Sequence, residues 1–210
     1  MSDETAPRLY LVTPATLDPN GFAPVLADVL SEVPVACVRL ALADQTDEDR
    51  WTLAVNHLLP ICHNSDVPLV ITDHYRLVEP LGLDGVHLAS TRTSMGKVRK
   101  ALGKDRIVGA YVGTSRHDGM VLADTGADYI CLGPIGDVGA LGSDERADDD
   151  LFQWWAEMIE TPVVAEGAVR PEDAKRLSPY TDFVVPDVAL WQSPENAVAV
   201  LRQYAEALED

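Results

Sequence analysis

Short apolar runs rich in β-branched residues alternate with stretches of helical periodicity along this chain, and the alternation repeats eight times. It is clearest where Val70-Ile71-Thr72-Asp73-His74 is followed by Leu83-Asp84-Gly85-Val86-His87-Leu88-Ala89-Ser90. Two apolar runs end in polar residues, with a helix-length segment between them, which is the pattern of a βαβ unit. The expected strands are Leu9–Val12, Val35–Leu40, Leu69–Ile71, Gly85–Leu88, Ile107–Tyr111, Tyr129–Leu132, Val163–Ala165 and Phe183–Val185. Helices are expected over Pro24–Leu30, Glu48–Cys62, Tyr75–Leu81, Ser94–Leu102, Asp118–Asp124, Asp150–Ile159, Pro171–Leu177 and Pro194–Leu208. Thr46 is placed to cap the second helix, and Pro171 and Pro194 fit first turns, where a missing N–H costs nothing. The runs are apolar throughout rather than alternating, as strands buried on both faces should be. Strict βα alternation over 210 residues predicts an α/β fold, a single (β/α)8 TIM barrel spanning residues 1–210. Its ligand site is then expected where the strands end, at their carboxyl termini.

Charge narrows the partners. With 34 acidic against 16 basic residues, the formal net charge of −18 argues against nucleic acid or an anionic membrane surface. No apolar run nears the roughly 20 residues that span a bilayer, and Met1-Ser2-Asp3-Glu4 is acidic where a signal peptide is basic. A cytoplasmic protein acting on a small molecule is expected. Cys37, Cys62 and Cys131 are odd in number, widely spaced and without a C-x-x-C pair, so they read as reduced thiols. Trp154 and Trp155 lie side by side on the sixth helix; one is expected to pack on the barrel and the other to mark a subunit contact, so a homodimer is allowed for.

In this order, the motifs resemble the thiamine phosphate synthase family of small (β/α)8 barrels. The matching residues are Leu9-Tyr10-Leu11-Val12-Thr13, Val38-Arg39-Leu40, Ile71-Thr72-Asp73 and Leu83-Asp84-Gly85-Val86-His87-Leu88. They continue through Ile107-Val108-Gly109, Gly126-Ala127-Asp128-Tyr129 with Gly133-Pro134-Ile135, and Pro162-Val163-Val164-Ala165. The resemblance implies transfer of a pyrimidine, carried as its pyrophosphate, onto a thiazole phosphate, with Mg2+ and release of pyrophosphate. Such chemistry asks for carboxylates on the metal, cations on the leaving group and a backbone cradle for the thiazole's phosphate.

Position by position, this chain departs from that set. The family's Q-x-R-x-K at strand two is Cys37-Val38-Arg39-Leu40-Ala41, which keeps the arginine, and its Asn-Asp after strand three is Thr72-Asp73. The second Mg2+ aspartate falls on Arg92, the serine after strand five on Tyr111, and the T-x-T-K phosphate loop on Val138-Gly139-Ala140-Leu141. The Gly-Gly pair past strand seven becomes Gly167-Ala168, preceded by Glu166, and the phosphate-holding serine past strand eight becomes Pro186, followed by Asp187. Pro186 has no N–H to offer an anion.

Six arginines fall at or past strand ends: Arg39, Arg76, Arg92, Arg116, Arg146 and Arg170. They either form an anion site or pair with Asp44, Asp73, Asp118, Asp137, Glu166 and Asp187 in the same loops. Asp73, Glu166 and Asp187 either hold an ion or a proton together, or form a solvated rim. His87, inside the fourth strand, reads as a hydrogen-bonded structural histidine, whereas His74 and His117 sit in loops as possible bases. Related thiazole tautomerases use a histidine just past strand five, a position that falls on Gly113, four residues short of His117. Cys37 reads as a small packed hydrophobe. Asp73 and His117 are thus the expected catalytic residues, with Asp73 also the carboxylate for Mg2+. Arg39, Thr72, Arg92, Tyr111, Glu166, Gly167 and Asp187 are the expected substrate contacts. Three activities stay open: the family's transfer, a tautomerase or isomerase acting on a small anion, and a barrel that binds a small ligand without turnover.

Overall fold

The computed structural model describes residues 7–90, 93–137, 141–142 and 144–209. Arg92 and Val138-Gly139-Ala140 therefore lie outside the described residues. Strands β1 (Arg8–Val12), β2 (Val35–Leu40), β3 (Leu69–Thr72), β4 (Gly85–Leu88), β5 (Ile107–Tyr111), β6 (Tyr129–Leu132), β7 (Val163–Val169) and β8 (Phe183–Pro186) pair in parallel, in chain order, into a closed barrel. Helices α1 (Pro19–Glu32), α2 (Glu48–Asn64), α3 (Val78–Leu81), α4 (Met95–Leu102), α5 (Arg116–Asp124), α6 (Asp149–Met158), α7 (Pro171–Leu177) and α8 (Ala197–Glu209) follow the strands in turn. This is the (β/α)8 barrel that the alternation predicts. No helix among the described residues is long and apolar enough to cross a membrane.

Strand periodicity divides the core in two. Leu9, Leu11, Val38, Leu40, Leu69, Ile71, Val86 and Leu88 face outward and pack with the helices, where Trp51, Phe152 and Trp155 are fully buried. Tyr10, Val12, Cys37, Val70, Tyr129, Cys131, Val164 and Val185 form a separate cluster inside the barrel. At the amino ends, one device recurs three times. Asp84, Asp128 and Asp182, each just before an even-numbered strand, accept the backbone N–H of Leu69, Val108 and Val163 on the preceding strand at 2.7–2.8 Å.

Several boundaries differ from the sequence reading, and capping chemistry explains most. Helix α1 begins at Pro19 rather than Pro24, because Asp18 accepts the N–H groups of Asn20 and Gly21 and Pro19 fills the first turn. Asp47, not Thr46, caps α2; Thr46 instead bonds through its N–H and hydroxyl to Asp44. The third helix shrinks to one α-turn after a 3-10 turn at Tyr75–Leu77, and Pro194 opens a 3-10 turn ahead of α8. Ser115 caps α5, which starts at Arg116 and so takes His117 out of the loop. Strand β7 runs four residues past Ala165, with a register shift and positive φ at Gly167 and Ala168, so Glu166 and Gly167 belong to the strand itself. Of the tryptophan pair, Trp155 is buried, while half-buried Trp154 carries the Arg116 guanidinium 4.7 Å over its ring.

Candidate functional site

Counting in steps of two from the inward-facing Cys37 puts Arg39 inside the barrel near the end of β2, and counting from Val164 puts Glu166 inside on β7. The two side chains meet across the interior. Arg39 Nη1 donates to Glu166 Oε2 at 3.0 Å and Nη2 donates to Oε1, a bidentate pair with both residues at most 6% exposed. Burial opposes the arginine's charge, but the glutamate more than offsets this and holds the guanidinium protonated beyond its ordinary range. Arg39 also lies 5.8 Å from the Tyr10 ring centre, and its Nε has no partner among the described residues.

Below this pair runs a neutral hydrogen-bonded chain. Tyr10 Oη and Tyr129 Oη are 2.7 Å apart, and Tyr129 Oη is 3.0 Å from His87 Nδ1. Burial first, and the Arg39 charge second, hold the His87 imidazole well below its ordinary pKa, so it is neutral. His87 is thus the buried, hydrogen-bonded histidine expected on β4. Burial likewise raises the Cys37 and Cys131 thiols, which stay protonated; all three cysteines are free. His87, Cys131 and Glu166 place possible ligand atoms within 4.8 Å of one another. A cation there would compete with Arg39 for both glutamate oxygens and face its charge, so the cluster is no metal centre as arranged.

At the end of β3, Thr72 is buried with a hydroxyl that has no partner among the described residues, and Asp73 takes a positive φ of 59°. The half-buried Asp73 carboxylate accepts the Ala89 N–H at 2.9 Å, tying the end of β3 to the end of β4. The His74 ring lies tilted against Trp51, ring centres 4.5 Å apart, with its Nε2 buried and without a partner among the described residues. A magnesium ion takes one or two carboxylates plus substrate phosphates. Here Asp73 has one oxygen committed to a backbone amide, its neighbour is a threonine, and the family's second aspartate position is an arginine in the sequence. The described residues thus bring a single carboxylate to such an ion, at Asp73.

The ends of β6, β7 and β8 would form the phosphate cradle, and several of the N–H groups after β6 and β8 already have partners. Ile135 N–H bonds to the carbonyls of Glu166 and Gly167, and Gly136 N–H to Gly167, at 2.8–3.2 Å. Asp187 N–H is shared between Val169 O at 3.1 Å and Tyr204 Oη at 3.3 Å, while the Asp187 carboxylate accepts the Ala189 N–H. Gly167 is buried with a φ of 94°, and a Cβ there would press into Pro134. Tyr111 donates to Gly133 O at 3.0 Å; burial, then Glu166, push its phenol up to about 12.

The barrel therefore gathers Arg39, Thr72, Asp73, Tyr111, Glu166, Gly167 and Asp187 at its carboxyl end, while Arg92 lies outside the described residues. His117 stands apart, exposed on the first turn of α5. Arg146 and Arg170 pair with Asp137 and Glu172 on the surface, and Arg76 lies over Tyr75. The sequence reading missed Tyr10, Tyr129 and Cys131 as parts of the site. Period-two spacing puts Tyr129 and Cys131 on one face of β6, but which face is the inner one is set by barrel closure.

Comparison with known proteins agrees with the fold. The thiamine monophosphate synthase family profile matches residues 9–185. The thiamine-phosphate synthase of Rhodospirillum centenum is 37% identical over 198 residues, covering 94% of this chain and 95% of that protein. That of Erythrobacter litoralis is 30% identical over 213 residues, covering 98% and 97%. The solved thiamine phosphate pyrophosphorylase of Pyrococcus furiosus superposes with a TM-score of 0.81 at 17% identity, covering 96% and 95% of the two chains, a likeness of fold. The chain belongs to the thiamine monophosphate synthase family.

Proposed function

We propose that this member of the family binds a non-phosphorylated small molecule over the carboxyl ends of its strands and does not carry out the phosphate-dependent transfer its relatives are named for. The observation that carries this reading is Asp187. Phosphate cradles work through free N–H groups and local positive potential. Asp187 has its own N–H engaged by Val169 and Tyr204, its carboxylate engages the Ala189 N–H, and Pro186 before it has none. An acidic side chain about 4 Å from an anion adds on the order of 1–4 kcal/mol of repulsion. The single carboxylate at Asp73, beside Thr72 and with Arg92 at the second position, points the same way.

The test is direct. The protein is incubated with the pyrimidine pyrophosphate, the thiazole phosphate and Mg2+, and thiamine phosphate is measured; none is expected. A melting screen of the same two rings, with and without phosphate, is expected to show stabilisation by a phosphate-free form alone. An ordered sulfate on the Gly167 and Asp187 amides in a soaked crystal would overturn the reading. A second reading, the transfer itself, is favoured by the 37% identity over 94% of the chain, and thiamine phosphate made by the unmodified protein would establish it.

A further inference from the structure

Arg39 is the cation that faces the barrel interior among the described strands, and its end-on edge, formed by the two Nη groups, is already filled. A guanidinium reads an anion through two parallel N–H donors, and here both Nη groups point at the two oxygens of Glu166. The pair is dry, with 6% and 4% of each residue exposed, so water weakens it little. The Tyr10 ring 5.8 Å away restricts the guanidinium further. A pyrophosphate or carboxylate ligand must therefore expel Glu166 or share Arg39 with it, and either way meets a second negative charge in a buried space. What the interior still offers is two single donors, the Arg39 Nε–H and the Thr72 hydroxyl, buried on adjacent strands and unpartnered among the described residues.

We propose that Glu166 is a specificity-determining residue, a built-in carboxylate that occupies the anion-reading edge of Arg39, excludes polyanions from the barrel mouth and leaves Arg39 Nε and Thr72 Oγ1 to meet an uncharged hydrogen-bond acceptor. This deepens the reading above and rests on it for the location of the ligand.

The probe is inorganic pyrophosphate, titrated into the full-length chain by calorimetry and by thermal melting. The unmodified protein is expected to show no binding and no melting shift. Glu166→Gln keeps the shape but not the charge, and it should bind pyrophosphate with an affinity raised about tenfold or more. That gain should vanish in Arg39→Met/Glu166→Gln. Glu166→Ala opens the same edge, and added formate should restore part of its melting temperature. Two results overturn the proposal: a folded Glu166→Gln protein with no gain, or an unmodified protein that binds pyrophosphate through Arg39, shown by loss of binding in Arg39→Met. The latter arm stands even if every Glu166 variant fails to fold. No gain in Glu166→Gln, with no thiamine phosphate formed, removes this inference and leaves the functional reading in place. Thiamine phosphate from the unmodified protein removes the functional reading whatever the pyrophosphate titration gives.

Discussion

The ring of Tyr129 lies over the bare α-carbon of Gly109 on the adjoining strand, so that a Cβ at position 109 would overlap the ring carbons Cζ, Cε1 and Cε2. The same phenol bonds to Tyr10 and His87 and stacks on the His87 ring, centres 5.8 Å apart. One missing methyl group thus makes room for the centre of the interior hydrogen-bond chain.

Gly109→Ala should accordingly cost about 1–3 kcal/mol, the usual range for overpacking, by forcing Tyr129 out of line. Urea unfolding measures it. A variant as stable as the parent would mean that Tyr129 is not held where the chain requires.

Removing one partner of the buried ion pair should cost more. Arg39→Met leaves the Glu166 carboxylate uncompensated, and such losses run to about 3–5 kcal/mol. Adding Glu166→Met should recover most of it, since apolar replacements of a whole buried pair are often neutral. If the double variant is as unstable as the sum of the singles, the two residues are not coupled in the way their geometry requires.

Acid should destabilise the protein through His87. Its folded-state pKa lies well below the ordinary 6.5, so the unfolded chain takes up the proton first as pH falls. Stability from this residue is complete above about pH 6.5 and falls below it by about 1.4 kcal/mol per pH unit until the folded-state pKa is reached. Melting temperatures of the parent and of His87→Gln between pH 7.5 and 5 should diverge in that window. Parallel curves would remove His87 from the account.

Magnesium should leave the free protein unchanged, because Asp73 stands without a second carboxylate at the family's position and one of its oxygens holds the Ala89 amide. A ligand at about a hundredfold excess over its Kd adds roughly 2.7 kcal/mol, enough to see in a melt. The mutational counterpart is that Asp73→Asn, which tolerates a positive φ and keeps an acceptor oxygen, stays close to the parent in stability. Asp73→Ala should lose about 1–2 kcal/mol with the amide bond and the strained backbone. A millimolar Mg2+ shift lost in Asp73→Asn would restore the metal to the site.

Much of the fold was legible because it rests on local signals. Apolar runs such as Leu69-Val70-Ile71 and helical periodicity along Glu48–Cys62 fix the alternation, and the family's motifs recur in order. The carboxyl-end location of Thr72, Asp73, Glu166 and Asp187 follows from that alternation alone. Helix starts were less legible where two capping candidates stood side by side, as at Thr46 and Asp47, since which side chain turns back onto the helix depends on the loop's path.

What the chain order could not give is who meets whom inside the closed barrel. Arg39 and Glu166 are 127 residues apart, and Tyr10 and Tyr129 are 119 apart, on strands that are not neighbours. Periodicity says only which residues of one strand share a face. Which inward-facing residues share a level depends on barrel closure and on the stagger of all eight strands together. A bulge such as the one after Ala165 shifts that stagger without leaving a strong mark in composition. The sequence therefore determined the scaffold and the list of residues at its mouth. The tertiary structure decided that its interior arginine is answered by its own glutamate, because charges brought together in a dry interior must find each other when no solvent is there to hold them apart.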